Sequence, residues 1–194
     1  PVSRSFYTAR FADAIRLLGG KVDSLLDIGC GSGIFLPELA KHCRQLFACD
    51  FHPELGKTVS MLTAEHLSNV TLVQADARVL PIASDSMDAI VCMSVLEHLH
   101  DVRSPAEEFY RVLKPGGMAI IGVPVENLMT NVMLRLSYLA LPNASLDDEH
   151  VSTHRDVLRA FSRRFEVERS LNIPRLLPEF IRMYRTVRFR KAPQ

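Results

Sequence analysis

Short apolar segments alternate with helical patterns along most of the chain, and this alternation limits the available folds more than any other feature. Strand-like segments cover residues 24–28, 45–49, 70–74, 87–93 and 118–123. The last two are largely apolar, which is typical of strands buried on both faces. Strands that alternate with helices form parallel sheets, and ligands bind beyond the carboxyl ends of those strands. The residues at these ends are therefore the candidates for function.

The two ends of the chain extend the pattern. Residues 6–18 carry apolar side chains at helical spacing, and Thr153 can cap a helix over residues 155–165. Residues 165–171 and 184–190 alternate like strands and predict an antiparallel addition at one sheet edge. The sequence therefore predicts a Rossmann-like, doubly wound α/β fold. Its sheet is seven-stranded and mostly parallel, with an antiparallel edge strand and a helical insert.

Charge is unevenly distributed, although the net charge of the 194 residues is only +1. Residues 1–150 contain 12 basic and 18 acidic side chains, whereas residues 151–194 contain 11 and 4. Such an asymmetry can mark a tail that meets nucleic acid or an anionic membrane, or it can be the solvated face of the last elements. The sequence leaves this choice open.

The four cysteines, Cys30, Cys43, Cys49 and Cys92, do not form a C-x-x-C pair. This spacing favours neither a zinc ribbon nor a redox motif. Their mostly apolar or glycine-rich surroundings predict buried free thiols, which suit a reducing cytoplasm better than a secreted scaffold. We therefore expect a cytoplasmic protein.

A glycine turn follows the first strand. Its spacing is G-x-G-x-G, formed by Gly29, Gly31 and Gly33, and Asp27 stands two residues before the first glycine. A carboxylate at that position repels a pyrophosphate but can hold an ammonium group. The turn therefore indicates a ligand with an amino-acid end, the alternative being a tight turn without a ligand.

Acidic residues also end the second and third strands. Asp50 can accept hydrogen bonds from ribose hydroxyls, as acids at this position do in dinucleotide folds, and Phe51 can stack on an adenine face. Asp76, followed by Ala77, can accept a hydrogen bond from an adenine amino group. The alternatives are a surface acid for Asp50 and a helix N-cap for Asp76.

Together these motifs resemble the class I S-adenosylmethionine-dependent methyltransferases, in particular the small-molecule group called methyltransferase type 11. The matching segments occur in the family's order and cover residues 25–33, 48–50, 74–81, 86–91, 95–98 and 111–117. The resemblance extends over about residues 6–123, and residues 124–194 match in architecture alone. It implies a single domain with a cofactor-binding core (1–123), a helical insert or cap (124–150), and a C-terminal helix with edge strands (151–194).

The resemblance implies S-adenosylmethionine as cofactor and a set of residues that contact it. These residues are Asp27, Gly29, Gly31, Gly33, Asp50, Phe51, Asp76, Ala77, Met93, Ser94 and Arg10. Met93 and Ser94 pass the reactive side of the cofactor. Tyr7 and Arg10 lie on a helix that often covers it, and Arg10 is placed to pair with its carboxylate. Since that helix varies in the family, a solvated position for Arg10 stays open.

Two histidines are candidate general bases. A base is needed only when the acceptor must lose a proton. His98 follows Glu97 in a pair that occurs in family members with different substrates, which favours a structural role over a base role for it. His150 follows the acidic run 147–149, and its alternative is a surface loop histidine. No metal is expected, because His98 and His100 lack metal-ligand spacing.

The sequence predicts methyl transfer to a small-molecule or lipid-like acceptor. DNA amine methylation typically uses a Pro-Pro-aromatic motif where this chain has residues 93–96, and no Pro-Cys nucleophile occurs. We therefore expect no nucleic-acid partner. A protein or nucleic-acid methyltransferase and a non-catalytic cofactor-binding module remain the alternatives.

Residues 126–150 form an unusually apolar segment at helical spacing. A helix that is apolar over much of its circumference is buried, paired with another chain or laid against lipid. Three interpretations stay open: packing on the sheet edge or a dimer partner, a cap that sets substrate choice, and peripheral membrane contact.

Overall fold

The computed structural model describes residues 2–52, 56–126, 151–175, 178 and 181–193, with backbone alone for residues 2–7 and 57. The helices are α1 (Val2–Leu18), α2 (Leu36–Ala40), α3 (Gly56–Ala64), α4 (Arg103–Val112) and α5 (His154–Phe161). The strands are β1 (Val22–Ile28), β2 (Cys43–Asp50), β3 (Val70–Gln74), β4 (Met87–Met93), β5 (Leu113–Pro124), β6 (Glu166–Ile173) and β7 (Tyr184–Arg190). A short 3-10 helix spans Leu96–His98.

The seven strands form one sheet in the order β3-β2-β1-β4-β5-β7-β6. The first five strands in this order are parallel, and β7 runs antiparallel to both of its neighbours. The predicted Rossmann-like fold is confirmed. The antiparallel strand β7 lies one position in from the edge, between β5 and β6, and its side chains are largely buried whereas most of β6 is exposed.

Two apolar clusters cover the two faces of the sheet. Successive side chains of a strand point to opposite faces. Accordingly, Leu25 of β1 packs with α1 and α2, whereas its neighbour Leu26 packs with Phe109 of α4 and Phe161 of α5. This double burial explains the continuous apolar strands in the sequence.

Some predicted boundaries differ from the observed ones. The strand predicted over 45–49 extends over Cys43–Asp50, and the strand predicted over 118–123 begins at Leu113 and ends at Pro124. Most of the predicted insert lies outside the described residues, so the division into core, insert and C-terminal part stays a prediction. Within the part of the chain that the structure describes, no helix is long and apolar enough to cross a membrane.

The strand order changes direction between β1 and β4. From β1 the chain builds outward through β2 and β3, and then returns to place β4 on the other side of β1. The carboxyl ends of β1 and β4 therefore open onto a crevice, which is where ligands bind in sheets of this kind.

Candidate active site

Asp27, near the end of β1, is a buried carboxylate facing this crevice. It is 4% exposed, and no described residue donates a hydrogen bond or forms an ion pair to it. Burial, together with the nearby charge of Asp50, raises the pKa of Asp27 from 3.8 to about 7. A buried acid without a positive partner is costly for the fold and is a feature of ligand sites.

The glycine turn brings the backbone close to the crevice. Gly29 has φ +78°, and a Cβ there would stand 2.2 Å from Cγ2 of Val95. Gly33, with φ +80°, leaves similarly little room beside Met61. In contrast, a Cβ on Gly31 would have no other protein atom within 4 Å. Gly29 and Gly33 are therefore required by packing, whereas Gly31 faces open space.

Asp50, at the end of β2, holds this turn in place. One of its oxygens accepts a hydrogen bond from the Gly31 amide at 2.7 Å, and the other accepts one from the His52 amide at 2.9 Å. The Thr58 hydroxyl donates to the Gly31 carbonyl at 2.6 Å. A carboxylate has about four acceptor positions, so Asp50 retains capacity for a ligand. The neighbouring Phe51 is 68% exposed.

Asp76 follows β3 and is paired within its own turn. The Arg78 side chain donates to both carboxylate oxygens, at 2.5 to 3.0 Å, and the Arg78 amide donates to one of them at 2.9 Å. This arginine lowers the pKa of Asp76. Asp76 and Ala77 line the same cavity as Asp50.

Ser94 follows β4 with φ +57°, a backbone conformation that is uncommon outside glycine. Its hydroxyl accepts a hydrogen bond from Arg10 at 2.9 Å and shares another with the Tyr184 hydroxyl at 2.9 Å. The Arg10 guanidinium lies 4.9 Å from the centre of the Tyr184 ring. Unusual backbone conformations of this kind cluster at functional sites.

Two cavities meet at these residues. The Asp50 cavity, of about 470 Å³, extends from Asp50 to Asp76. The Asp27 cavity, of about 440 Å³, contains Asp27 and Arg10. Both cavities are lined by Gly29, Ser94 and His98, which mark their junction.

Comparisons with known proteins agree with this geometry. A family model described as "Methyltransferase domain" matches residues 26–121. The demethylmenaquinone methyltransferase of Corynebacterium glutamicum is 31% identical over 157 residues, which cover 77% of this chain and 66% of that protein. The ubiquinone biosynthesis O-methyltransferase of Xanthomonas oryzae pv. oryzae is 34% identical over 123 residues, covering 60% of this chain and 46% of that protein. The chain thus spans less than two thirds of these relatives.

Among solved structures, the N-methyltransferase NodS from Bradyrhizobium japonicum WM9, in complex with S-adenosyl-L-homocysteine, shares the fold. Its TM-score is 0.74 at 22% sequence identity, over 96% of this chain and 87% of that one. The chain belongs to the class I S-adenosylmethionine-dependent methyltransferases. The cofactor of this family is S-adenosylmethionine, and the residues of the site suit that molecule: no cation of the described residues pairs with the buried acid Asp27, and Gly31 faces open space.

All the predicted cofactor residues except Gly33 line one or both of the two cavities. Gly33 lines neither. Arg10 and Met93 line the Asp27 cavity, and Phe51 and Ala77 line the Asp50 cavity. Their roles in binding remain predictions. His98 lies at the junction of the cavities, whereas His150 and the Tyr7 side chain lie outside what the structure describes.

Three residues of the methyltransferase site were missed by sequence reasoning. Glu97 is 2% exposed and lines the Asp27 cavity, and its position beside His98 was an available signal. Nothing in the sequence indicated a role for Thr58, because its contribution is one hydrogen bond from α3 to the Gly31 carbonyl. Tyr184 gave none either, since it reaches the site only because β7 pairs with β5.

The cysteines are free and buried, as predicted. Burial raises the pKa of Cys30 and Cys49 to about 12 and that of Cys43 to about 11, so these thiols are protonated at neutral pH. Among the described residues, no group of three or more His, Cys, Asp or Glu side chains is arranged to hold a metal ion.

Proposed function

We propose that this chain transfers the methyl group of S-adenosylmethionine to a small, lipid-like acceptor with a hydroxylated aromatic or quinol ring. The observation that carries the proposal is the junction of the two cavities at Ser94 and His98, with Asp27 in one cavity and Asp50 in the other. This arrangement suits a ligand with an amino-acid end and a nucleoside end.

The acceptor class is supported by the relatives. They include a demethylmenaquinone methyltransferase and a ubiquinone biosynthesis O-methyltransferase. A quinol-type acceptor also agrees with the apolar composition of residues 126–150. The four buried thiols favour a cytoplasmic enzyme. Peripheral membrane contact and self-association are further proposals that accompany an apolar acceptor.

Each residue has a distinct task in this mechanism. Asp27 holds the ammonium of the cofactor, and Asp50 accepts hydrogen bonds from the ribose while it fixes Gly31. Phe51 flanks the adenine. The bound cofactor supplies an electrophilic methyl group on a positively charged sulfur. The protein aligns the acceptor with that methyl group and excludes water.

His98 is the proposed base for a hydroxyl acceptor. It lines both cavities, so it lies beside the place where the two ends of the ligand meet. The imidazole would accept the proton of the acceptor oxygen as that oxygen takes the methyl group, while the S–C bond of the sulfonium breaks and S-adenosylhomocysteine leaves. His150 remains the second candidate.

Binding of S-adenosylhomocysteine tests the cofactor site. Asp50→Ala removes the ribose contacts and releases the Gly31 and His52 amides, so we expect affinity to fall at least about tenfold. Asp23→Ala is the matched control, because Asp23 lies at the opposite end of β1 and is well exposed. Equal affinities of wild type and Asp50→Ala by calorimetry would contradict the ribose assignment.

Methyl transfer from labelled cofactor tests the acceptor. We expect label in reduced naphthoquinones or catechols and none in protein or nucleic acid. With a hydroxyl acceptor, His98→Gln should lower turnover by roughly 10²–10⁴. Label found in macromolecules alone would support the alternative acceptor class.

A further inference from the structure

The Tyr184 side chain extends from β7 past β5 to reach the candidate active site at the end of β4. It begins β7, which is separated from β4 by β5, so the two strands lie about 10 Å apart. Its hydroxyl nevertheless lies 2.9 Å from the Ser94 hydroxyl. The side chain crosses β5 at Gly122, where a Cβ would stand 2.7 Å from the Tyr184 oxygen and 2.6 Å from the Met93 sulfur. Gly122 therefore leaves the space through which Tyr184 reaches Ser94.

The Tyr184 ring and hydroxyl both act on Arg10. The guanidinium lies over the ring at 4.9 Å, and the Ser94 hydroxyl that it contacts is held by the Tyr184 hydroxyl. Tyr184 is 1% exposed, and burial raises the pKa of its phenol, so the hydroxyl keeps its proton at neutral pH. A buried, neutral tyrosine is a rigid support for a cation.

Arg10 and Asp27 place opposite charges in one cavity. Both residues line the Asp27 cavity, together with Tyr184 and Ser94. The cavity also contains the acid Glu97. An amino-acid end carries an ammonium and a carboxylate, so its ammonium suits Asp27 and its carboxylate suits Arg10. The orientation of Arg10 then decides whether the carboxylate is held.

We propose that Tyr184 is a positioning residue for the amino-acid end of the cofactor, because it holds the guanidinium of Arg10 in the Asp27 cavity through Ser94 and through its ring. The inference rests on the proposed cofactor site. It adds a determinant from the C-terminal part of the chain to a site whose other described residues lie between 10 and 124.

Two ligands separate positioning from general stability. S-adenosylhomocysteine carries the amino-acid end, and 5′-methylthioadenosine lacks it. By calorimetry, Tyr184→Phe should weaken S-adenosylhomocysteine binding about three- to tenfold, because one hydrogen bond of the cluster is lost. Binding of methylthioadenosine should change less than about twofold. Tyr110→Phe is the matched control: Arg164 lies over its ring at 4.4 Å, and it lies outside both cavities.

A double-mutant cycle tests whether Tyr184 acts through Arg10. In an Arg10→Ala background, Tyr184→Phe should have no further effect on S-adenosylhomocysteine affinity, since the group it positions is gone. An equal loss for both ligands, an undiminished loss in the Arg10→Ala background, or no loss at all would each overturn the proposal. If Tyr184→Phe fails to fold, Ser94→Ala replaces it in the same cycle. Wild-type protein that binds neither ligand would instead refute the proposed function.

Discussion

At the scale of single residues, the candidate site lowers the stability of the ligand-free fold. Asp27 is buried and has no positive partner among the described residues, and its pKa of about 7 reflects the cost of ionising it there. In the proposed binding mode, the ammonium group of the ligand offsets that cost. Residues that serve ligand binding often reduce the stability of the empty protein.

Cofactor affinity should therefore depend on pH through Asp27. In the proposed binding mode the ammonium pairs with the ionised carboxylate, so below about pH 7 binding must first remove a proton from Asp27. We expect the dissociation constant of S-adenosylhomocysteine to rise as pH falls, approaching about tenfold per unit well below that pKa. Calorimetry in buffers of different ionisation enthalpy should show proton release on binding. A flat profile between about pH 5.5 and pH 7 would contradict the assignment.

Asp27 should also make the stability of the fold depend on pH, in the direction opposite to cofactor affinity: its contribution to stability should be greater at low pH. The folded protein binds the Asp27 proton more tightly than the unfolded chain, whose pKa is near 3.8. Its stabilising contribution is thus complete below about pH 4 and is lost as pH rises through about 7. Asp27→Asn imitates the protonated acid, so it should raise the melting temperature of the cofactor-free protein more at about pH 8 than at about pH 5.5. Asp23→Asn, which changes an exposed acid, should not show this difference.

At the scale of elements, hydrogen bonds join the start of α5 to the 3-10 helix (Leu96–His98) and to the residue that follows it. The amides of Val151 and Ser152 both donate to the Glu97 carbonyl, at 2.9 and 3.0 Å, and the Ser152 hydroxyl donates to the Leu99 carbonyl at 2.5 Å. A capping box between Thr153 and Asp156 then begins the helix. The 3-10 helix with Glu97 and His98 is therefore held by the N-terminus of α5.

Removing the cap should loosen this junction. Thr153→Ala loses the capping hydroxyl, which costs about 1 kcal/mol and lowers the melting temperature by about 2–4 °C for a chain of this size. Thr63→Ala is the matched control, because the exposed Thr63 hydroxyl bonds back to Val59 within α3 and alanine favours helix. An equal loss of stability in both variants, measured by thermal unfolding, would refute the capping role.

How far the sequence predicts each element depends on how local its signal is. The β4 bounds and the residues Asp27, Gly31 and Asp50 follow from patterns within a few positions, so they could be predicted. Tyr184 could not, because it reaches the site only through the pairing of β7 with β5 across Gly122. The pairing of Asp76 with Arg78 depends on side-chain conformation, which spacing does not define.

At the scale of the whole molecule, the uneven charge joins the two parts of the chain. Basic residues of the C-terminal part pair with acids of the preceding part: Arg175 with Asp13, Arg164 with Glu107 and Lys191 with Asp85. Three of the basic residues that could mark a binding tail are thus engaged within the protein. These ion pairs leave less positive charge available to bind nucleic acid or a membrane surface. They also hold the C-terminal part against α1 and α4.

Lys191 is the most buried of these contacts, and replacing it should show how much the docking stabilises the fold. It is 4% exposed, and its ammonium donates to the Asp85 carboxylate at 2.6 Å and to the carbonyls of Tyr110 and Leu113 at 2.8 and 2.6 Å. Lys191→Met leaves both carbonyls without this donor, so we expect a loss of about 3 kcal/mol. At roughly 2–4 °C per kcal/mol, the melting temperature should fall by about 6–12 °C.

The control for this prediction is Lys41→Met. Lys41 also forms an ion pair at 2.7 Å, with Glu38, but its side chain is 68% exposed, so we expect a loss under about 1 kcal/mol. Lys191 lies outside both cavities, and the folded Lys191→Met protein should therefore bind S-adenosylhomocysteine with unchanged affinity. Similar melting temperatures for the two variants would mean that the C-terminal strands are held by their apolar contacts with the sheet, among them Val187 and Phe189, and that charge pairing adds little.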